Sequence, residues 1–392
     1  MEAVRQVQVN DGAAGVDGMV PKDIDRAPGG AVQWVRALSE ELRAKRYRAS
    51  ALLRAWRDKG DGTKRPLGIP TVKDRVVQTA LMLVLMPIYE ADFHPQSYGY
   101  RPRRNAWQAM EAIKQGLWKG KTEIVDADLS AFFDTIPHRG LMRQLVKRIA
   151  DGSVLALIKQ WLRAPVEERG KDGKRRVQPT RSGTPQGGVI SPLLANIYLN
   201  DLDHGVNEGT KQKASMVRYA DDLVILCAPG QSAGMRERLG SWVQRRGLSL
   251  NEAKTRVVDA QKETFVFLGW QVSPRLTKGG RKYYHMEPSV KSRGKLMDKI
   301  RGVLNRRTFW RGCEEVIGEI NAVMRGWSGY FRQGHSMAVL RRMHDLISER
   351  LRTWLWSKHR KSRAKYGFYT RKRLREQYGL YPMNLRTATG SV

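Results

Sequence analysis

The chain has 392 residues, a length that favours two or three subdomains over a single hydrophobic core. Its composition is 41% hydrophobic, as in folded proteins, and its formal net charge is +33, because 71 Lys and Arg face 38 Asp and Glu. This charge indicates an anionic partner. Nucleic acid is favoured over an anionic membrane surface because the sequence has no lipidation motif.

The cysteines and the apolar runs exclude several further classes of site and protein. Only Cys227 and Cys313 are present, which excludes a disulfide framework and a four-cysteine zinc site. The N-terminus lacks the apolar core of a signal peptide, and the densest apolar run, residues 80–86, is too short to cross a bilayer. We therefore expect a cytoplasmic protein without a membrane partner.

The first part of the chain alternates turns with helices. The glycine-rich residues 10–18 are interpreted as a plain turn rather than a phosphate loop, because no strand clearly precedes them. A helix is predicted from Val32, and residues 54–70 predict a hairpin of two basic strands. That hairpin either reaches towards a ligand with its cations or is simply solvated. Further helices are predicted from Arg75 and from Asn105.

The first acidic stretch lies at residues 124–134. It begins as a strand, so the side chains of Asp126 and Asp128 should share one face. An acid on the open face of a buried strand is costly unless a cation or donor meets it, which favours a metal ligand over a random surface acid. Two helices are predicted next, within residues 141–163.

A glycine-rich loop and an acidic hairpin follow. Gly187 and Gly188 would let the backbone approach a ligand closely, and Ser191-Pro192 would begin a helix. Apolar runs then flank residues 219–222, Tyr-Ala-Asp-Asp, and predict a strand, a tight turn and a strand with two carboxylates at the tip. Such a pair suits Mg²⁺, although ordinary turn chemistry is the favoured interpretation of this stretch alone.

The remainder changes in composition. A helix is predicted at residues 235–246 and a strand with a glycine bend at 265–270. Residues 291–392 hold 24 Lys and Arg against seven Asp and Glu, and their apolar residues follow helical spacing, which predicts a helical domain with a basic exterior. Aromatic residues among the cations of residues 358–375 suit a nucleic-acid surface, with a solvated tail as the alternative.

The order of these motifs is more specific than any one of them. Together they resemble the reverse transcriptases of bacterial group II introns, the intron-encoded maturase type. The motifs that carry the resemblance are Asp128-x-x-x-Phe132-Phe133, Thr184-Pro185-Gln186-Gly187-Gly188, Tyr219-Ala220-Asp221-Asp222, Lys254 and Phe267-Leu268-Gly269. Residues 10–18, 65–70 and 325–331 support the same branch.

The resemblance implies an α+β fold of the right-hand polymerase type. Fingers would occupy residues 1–118 with an insertion at 139–180, and a palm with an antiparallel sheet would occupy residues 119–285. An α-helical thumb or maturase domain would follow at 286–360, and a basic nucleic-acid-binding segment at 361–392.

The resemblance also assigns catalytic roles. Asp128 and Asp221 would hold two Mg²⁺ ions with Asp222 beside them, and Lys254 would assist pyrophosphate release. Asp126 should share a face with Asp128, but only Asp128 has the family's spacing to the two phenylalanines. We therefore expect Asp128 to be the ligand.

Further residues would bind the substrates. Phe133 would sit against the sugar of the incoming nucleotide and exclude a 2′-hydroxyl, while Gln186 would pack against nucleotide and template. Lys59 and Arg75 would contact the triphosphate, and Lys64 and Arg65 are weaker candidates for that contact. Leu268 and Gly269 would grip the primer.

The resemblance implies an RNA-directed DNA polymerase that also binds its group II intron RNA and assists splicing and retromobility. Its partners would be an RNA template, a DNA primer and deoxynucleoside triphosphates. No cysteine follows Cys313, so we expect no HNH endonuclease of the kind that many relatives carry. Two alternatives are a non-catalytic RNA-binding splicing factor and a domesticated reverse transcriptase in DNA repair or phage defence. The three acids Asp128, Asp221 and Asp222 argue against the non-catalytic alternative.

Overall fold

The protein consists of two compact units, each with its own hydrophobic core. The computed structural model describes residues 1–58, 62–170, 174–209, 214–359 and 365–383. Contacts divide the chain into Met1–Val257 and Val258–Val392. One core draws its buried side chains from the first unit and the other from the second.

The first unit mixes helices with the strands of two sheets. In chain order its elements are α1 (Glu2–Asn10), α2 (Asp23–Arg26), α3 (Gly30–Arg43), β1 (Leu52–Asp58), β2 (Lys64–Ile69), α4 (Val72–Glu90), α5 (Ala106–Trp118), β3 (Glu123–Asp128), α6 (Phe132–Thr135), α7 (His138–Leu145), α8 (Gly152–Arg163), β4 (Val166–Arg169), β5 (Arg175–Gln178), α9 (Ser191–Asn207), β6 (Ala214–Tyr219), β7 (Asp222–Cys227), α10 (Ser232–Arg245) and β8 (Arg256–Asp259). The boundary between the units falls within β8.

One sheet has the strand order β6-β7-β3-β8. Strand β7 lies in its interior and pairs antiparallel with both β6 and β3. The side chains from Leu223 to Cys227 are fully buried, because helices α5 and α10 pack against this sheet. Burial of these apolar residues fixes the register of the hairpin and brings its acidic tip to one end of the sheet.

The other sheet of this unit has the order β2-β1-β4-β5. Strands β1 and β2 form the predicted basic hairpin, with Leu53 opposite Ile69 and Asp58 opposite Lys64. Strand β1 also pairs in parallel with β4, so β4 and β5 complete a sheet begun about a hundred residues earlier.

Capping residues explain where several helices begin. Helix α4 starts at Val72, before the predicted Arg75, because the Thr71 side chain accepts a hydrogen bond from the Asp74 backbone at 3.2 Å. Asn105 and Gln108 form a capping box at the start of α5. Ser191 and Pro192 open α9 as predicted.

The second unit places a three-stranded sheet before a set of helices. Its elements are β9 (Phe265–Phe267), β10 (Trp270–Leu276), β11 (Lys282–Pro288), α11 (Val290–Val303), a 3₁₀ helix (Arg306–Thr308), α12 (Cys313–Phe331), α13 (Met337–His359), α14 (Lys365–Phe368) and α15 (Arg371–Glu376). The sheet is antiparallel in the order β11-β10-β9.

Two features of this unit differ from the sequence-based expectations. Residues 265–270 are not one bent strand but two strands, because Leu268 and Gly269 both have positive φ and turn the chain between β9 and β10. The segment after α13 also contributes to the helical core: Tyr369, Leu374 and Leu380 are buried there. Among the described residues, no helix is both long and apolar enough to cross a membrane.

Candidate active site

The acidic residues of two distant motifs meet at the end of the β6-β7-β3-β8 sheet. Strands β3 and β7 pair so that Asp128 lies opposite Asp222, and the β6–β7 hairpin pairs Tyr219 with Asp222. Ala220 has φ 59°, the left-handed backbone that a two-residue hairpin loop requires. The predicted strand, tight turn and strand are therefore present, and they bring Asp128, Asp221 and Asp222 together.

The crowding of these carboxylates changes how they titrate. Burial raises the pKa of Asp222 to about 6, and the charges of Asp221, Asp128 and Asp126 add to the rise. Burial also raises the pKa of Asp221, with Asp128 adding to the rise and Arg65 opposing it. A group of oxygen ligands that repel one another in this way is stabilised by a cation.

A neighbouring segment fixes Asp128. Its backbone carbonyl accepts a hydrogen bond from the Asn251 backbone at 2.8 Å, and its Oδ2 accepts one from Asn251 Nδ2 at 3.3 Å. Lys254 Nζ lies 2.8 Å from the same Oδ2. This contact and the nearby acids raise the pKa of Lys254, so the amine holds its proton beside the carboxylates.

Asp126 shares the face of Asp128 but has a different partner. Its Oδ2 lies 3.1 Å from Arg256 Nε. Burial raises the pKa of Asp126, and the bond to Arg256 opposes that rise. The two acids of β3 therefore occupy different environments, and Asp128 is the one that lies opposite Asp222.

The acids fit a divalent cation held jointly with a substrate. Across the part of the chain that the structure describes, His, Cys, Asp and Glu side chains form no ready-made cage of three or more metal ligands. Magnesium sites that use one or two carboxylates together with substrate phosphates do not need such a cage. The hard oxygen donors of Asp128, Asp221 and Asp222 suit this kind of site.

Phe133 and Gln186 lie close together in the first unit, one in a short helix and the other in a loop. Phe133 follows Asp128 by five residues and lies in the short helix α6. Its carbonyl accepts a hydrogen bond from the Thr184 backbone at 2.7 Å. Gln186 Nε2 donates to Asp134 Oδ2 at 3.0 Å. The structure thus brings together these two predicted substrate-binding residues.

Gly187 of the double glycine lies against another segment of the protein, and the predicted close approach to a ligand stays a prediction. Gly187 has φ 113°, and a Cβ there would lie 2.9 Å from the Gly68 carbonyl oxygen of β2. The Gly68 backbone also donates to the Gln186 carbonyl at 2.7 Å. Here the glycine admits another segment of the protein, since only a residue without a side chain fits so close to β2.

The predicted triphosphate-binding cations differ in exposure: the one in α4 is buried and those that the structure describes in the basic hairpin are exposed. Arg75 is only 8% exposed, and its guanidinium donates to the carbonyl oxygens of Pro70 and Ala13. It therefore ties the 10–18 turn to the start of α4. Lys64 and Arg65 are exposed, and Arg65 lies close enough to Asp221 to influence its pKa. Lys59 lies outside the described residues.

Leu268 and Gly269 lie in the second unit and form its β9–β10 turn. The Leu268 carbonyl accepts a hydrogen bond from the Tyr330 hydroxyl at 3.0 Å. The Gly269 carbonyl accepts from Ser292 Oγ and from the Ser289 backbone, both at 2.9 Å. These contacts fix the turn against helices α11 and α12.

Sequence reasoning missed a buried network behind the acidic hairpin. The Arg218 side chain is 0% exposed and pairs with Asp203, whose side chain is 1% exposed. Its guanidinium also donates to Asn196 Oδ1 and to the Ala220 carbonyl, both at 2.9 Å, and to Ser97 Oγ at 2.8 Å. A signal was present, because Arg218 interrupts an apolar strand and Asp203 interrupts an apolar helix.

Two family models match the chain. The reverse transcriptase (RNA-dependent DNA polymerase) model matches residues 57–272, more than half of the chain. The chain therefore belongs to the reverse transcriptase family, and its α+β fold is that of a right-hand polymerase. The group II intron maturase-specific domain matches residues 293–375, so within that family the chain is of the group II intron type. Both domains imply RNA binding, and reverse transcriptases use divalent metal ions.

The chain is also similar to individual proteins. The chain is 31% identical over 283 residues to protein YkfC of Escherichia coli, covering 63% of this chain and 73% of YkfC. It is 37% identical over 180 residues to the group II intron-encoded protein LtrA of Lactococcus lactis, covering 46% of this chain and 29% of LtrA. A solved telomerase from Candida albicans with a fragment of telomeric RNA matches at a TM-score of 0.49 and 12% identity, covering 86% of this chain and 66% of that one.

Proposed function

We propose that the protein is an RNA-directed DNA polymerase that also binds a group II intron RNA and assists its splicing and retromobility. The observation that carries the polymerase activity is the convergence of Asp128, Asp221 and Asp222 at the end of one sheet. The match of residues 293–375 to the maturase-specific domain supports the intron RNA as the second partner. We place this activity in the cytoplasm.

The proposed cofactor is a pair of Mg²⁺ ions. Asp128 and Asp221 would hold them, with Asp222 beside them, because burial and the crowding of these carboxylates raise the pKa of Asp222 to about 6. When bound, the ions would lower the pKa of the primer 3′-hydroxyl and neutralise the charge of the triphosphate and the departing pyrophosphate. Lys254, protonated beside Asp128, would assist the departure of pyrophosphate.

The loops around the acids would hold the nucleotide. Phe133 would sit against the sugar, where its ring leaves no room for a 2′-hydroxyl, and Gln186 would pack against nucleotide and template. Arg65 is exposed and lies near Asp221. Among the hairpin cations that the structure describes, it is therefore the one that we favour for contact with the triphosphate. For Arg75 we propose an indirect role, since its guanidinium binds backbone carbonyls. Lys59 remains a proposal from the family pattern.

We propose that the subdomains follow the family arrangement. Residues 1–118 with the 139–180 insertion would form the fingers, and the shared β2-β1-β4-β5 sheet supports that grouping. Residues 119–285 would form the palm, 286–360 the thumb or maturase domain, and 361–392 a basic segment for nucleic acid. Leu268 and Gly269, at a turn fixed by Tyr330 and Ser292, would grip the primer.

The two acids of β3 provide a matched test of the metal site. We expect Asp128→Asn to lower the rate of single-nucleotide incorporation by about 10³-fold or more, because metal ligation contributes several kcal/mol to such a transition state. Asp126→Asn removes a carboxylate from the same strand face and should retain the rate within about tenfold. If Asp126→Asn abolished incorporation and Asp128→Asn left it intact, the proposed ligand set would be wrong.

Splicing assistance requires a separate test. We expect the purified protein to bind the intron RNA that flanks its gene and to accelerate its splicing at limiting Mg²⁺. The Asp221→Asn variant should retain this effect, because RNA binding does not need the polymerase site. A gene without a flanking intron RNA, or a protein that leaves the splicing rate unchanged, would contradict the maturase role and leave the polymerase activity standing.

A further inference from the structure

Tyr100 is an aromatic residue beside the acids that has no role in the proposed chemistry. It lies in the loop between α4 and α5, and its φ of 60° is uncommon for a residue with a large side chain. The side chain is 48% exposed, although large aromatic rings are usually more deeply buried. An unusual backbone conformation that carries an exposed ring next to a candidate site calls for a functional explanation.

The Tyr100 ring packs edge to face against the ring of Phe133. The two centroids are 6.2 Å apart and the planes meet at 80°, an arrangement that aromatic pairs prefer. Phe133 also packs against Phe132, with ring centroids 5.5 Å apart, and Phe132 is buried in the core. The Phe133 ring is therefore in contact with both a core residue and Tyr100.

The backbone around Tyr100 is fixed to the acidic hairpin. A Cβ at Gly99 would collide with the backbone nitrogen of Ala220, so this glycine allows the loop to lie directly on the hairpin turn. The Gly99 carbonyl accepts a hydrogen bond from Asn196 Nδ2 at 2.9 Å, and the Tyr98 backbone donates to the Arg218 carbonyl at 2.9 Å. The position of Tyr100 is thus set by the same elements that position Asp221.

The surroundings of the Tyr100 hydroxyl place it at the edge of the site. Burial raises the pKa of this hydroxyl, and the charge of Asp221 adds to the rise while Arg65 opposes it. The side chain accordingly lies near both the acids and Arg65, the residue that we favour for contact with the triphosphate. The hydroxyl is not needed for the contact between the two rings, which depends on their faces and edges.

We propose that Tyr100 is a positioning residue whose ring holds Phe133 in place and thereby sets the discrimination between deoxyribonucleotides and ribonucleotides. This inference rests on the proposed role of Phe133 against the nucleotide sugar. Without the Tyr100 ring, Phe133 keeps its backbone hydrogen bond to Thr184 but can rotate its side chain away from Phe132. A ribonucleotide would then meet less steric resistance, while a deoxyribonucleotide would bind about as before.

The test compares the ratio of kcat/KM for a deoxyribonucleotide to that for its ribonucleotide in a set of variants. Tyr100→Asn removes the ring and keeps a residue type that tolerates positive φ, and Tyr100→Phe keeps the ring and removes the hydroxyl. We expect Tyr100→Asn to lower the ratio about two- to tenfold, the range of one aromatic pair, mainly through a lower KM for the ribonucleotide. Tyr100→Phe should keep the ratio within about twofold.

Phe133→Val distinguishes a failure of this inference from a failure of the proposed function. If Phe133→Val leaves the ratio unchanged, Phe133 does not act on the sugar, and the role of Tyr100 falls with it. If Phe133→Val lowers the ratio and Tyr100→Asn does not, the role of Tyr100 alone is overturned. An equal loss in Tyr100→Phe and Tyr100→Asn would also overturn it, because the hydroxyl would then be responsible.

The double variant Phe133→Val with Tyr100→Asn completes a double-mutant cycle, which measures whether the two residues act together. Because Tyr100 acts through Phe133, the double variant should show no further loss beyond Phe133→Val alone. Additive losses would mean that Tyr100 touches the nucleotide independently, which contradicts the proposal. Should Tyr100→Asn fail to fold, Tyr100→Gly suits the same backbone and carries the same expectations.

Discussion

At the scale of single residues, two of the four acids at the site form ion pairs with basic side chains of the protein. Lys254 pairs with Asp128 and Arg256 pairs with Asp126, whereas the acidic turn of Asp221 and Asp222 relies on more distant charges. Burial is the main reason why the pKa of Asp222 rises to about 6, and this uneven compensation of the neighbouring carboxylates adds to the rise. Unbalanced negative charge at the hairpin tip favours the binding of metal ions there.

The raised pKa of Asp222 predicts a pH-dependent effect on stability. Since the folded-state pKa lies above its unfolded value of 3.8, the stability that Asp222 contributes is present below about pH 4 and is lost as pH rises through about 6. In chelator-treated protein, Asp222→Asn should therefore raise the melting temperature at pH 8 by about 2–4 °C. This corresponds to roughly 1 kcal/mol, a value reduced for solvent screening because Asp222 is an exposed residue at the hairpin tip.

The same comparison at pH 4 is the control. There Asp222 is protonated in the folded protein, so the two melting temperatures should converge. A stabilisation of equal size at pH 4 and pH 8, or a variant less stable than wild type at pH 8, would show that Asp222 is not under electrostatic strain.

Single residues also show the limits of inference from sequence. The three acids and the spacing of Phe133 to Asp128 could be recognised because each is part of a local pattern. The contacts of Arg75 could not, because its carbonyl partner Ala13 is 62 residues away and is brought near only by folding. Tyr100 was missed for the same reason, since its contact with Phe133 joins a loop to a helix 33 residues further along the chain.

At the scale of elements, the acidic hairpin depends on the buried pair of Arg218 and Asp203. Removing one partner of a buried ion pair leaves a charge without compensation and typically costs about 3–5 kcal/mol. Arg218 has a second task, because it donates to the carbonyl of Ala220 in the turn itself. The pair therefore supports both the stability of the first unit and the position of Asp221.

These two tasks can be separated by mutation. We expect Arg218→Met to lower the free energy of unfolding by about 3–5 kcal/mol, and the addition of Asp203→Asn to recover part of this loss. Polymerisation should stay impaired in the double variant, because the bond to Ala220 is still missing. Denaturant titration and single-nucleotide incorporation measure the two effects. Recovery of both would mean that the pair serves the core alone.

The elements were predicted well where local pattern decides and poorly where distant segments meet. The β6–β7 hairpin follows from apolar runs around a short turn, and helices α5 and α9 follow from their capping residues. The parallel pairing of β1 with β4 joins segments far apart in sequence, so no local signal reveals it. The close contact of Gly187 with β2 likewise joins distant segments and has no local signal in the sequence.

At the scale of the whole molecule, charge is the property that the sequence predicts best. The net charge of +33 and the excess of 24 Lys and Arg over seven Asp and Glu in residues 291–392 agree with the RNA binding that both matched domains imply. Such a surface binds nucleic acid through counterion release, so its affinity should fall steeply with salt. Charge alone does not distinguish a polymerase from a splicing factor, which makes the acidic site decisive.

The most direct test is DNA synthesis by the full chain on an RNA template with a DNA primer, deoxynucleoside triphosphates and Mg²⁺. Wild-type protein should extend the primer, and Asp221→Asn should lose at least about 10³-fold of the rate while binding the primer and template equally well. Failure of wild-type protein to extend the primer, or equal extension by wild type and Asp221→Asn, would contradict an RNA-directed DNA polymerase centred on these acids.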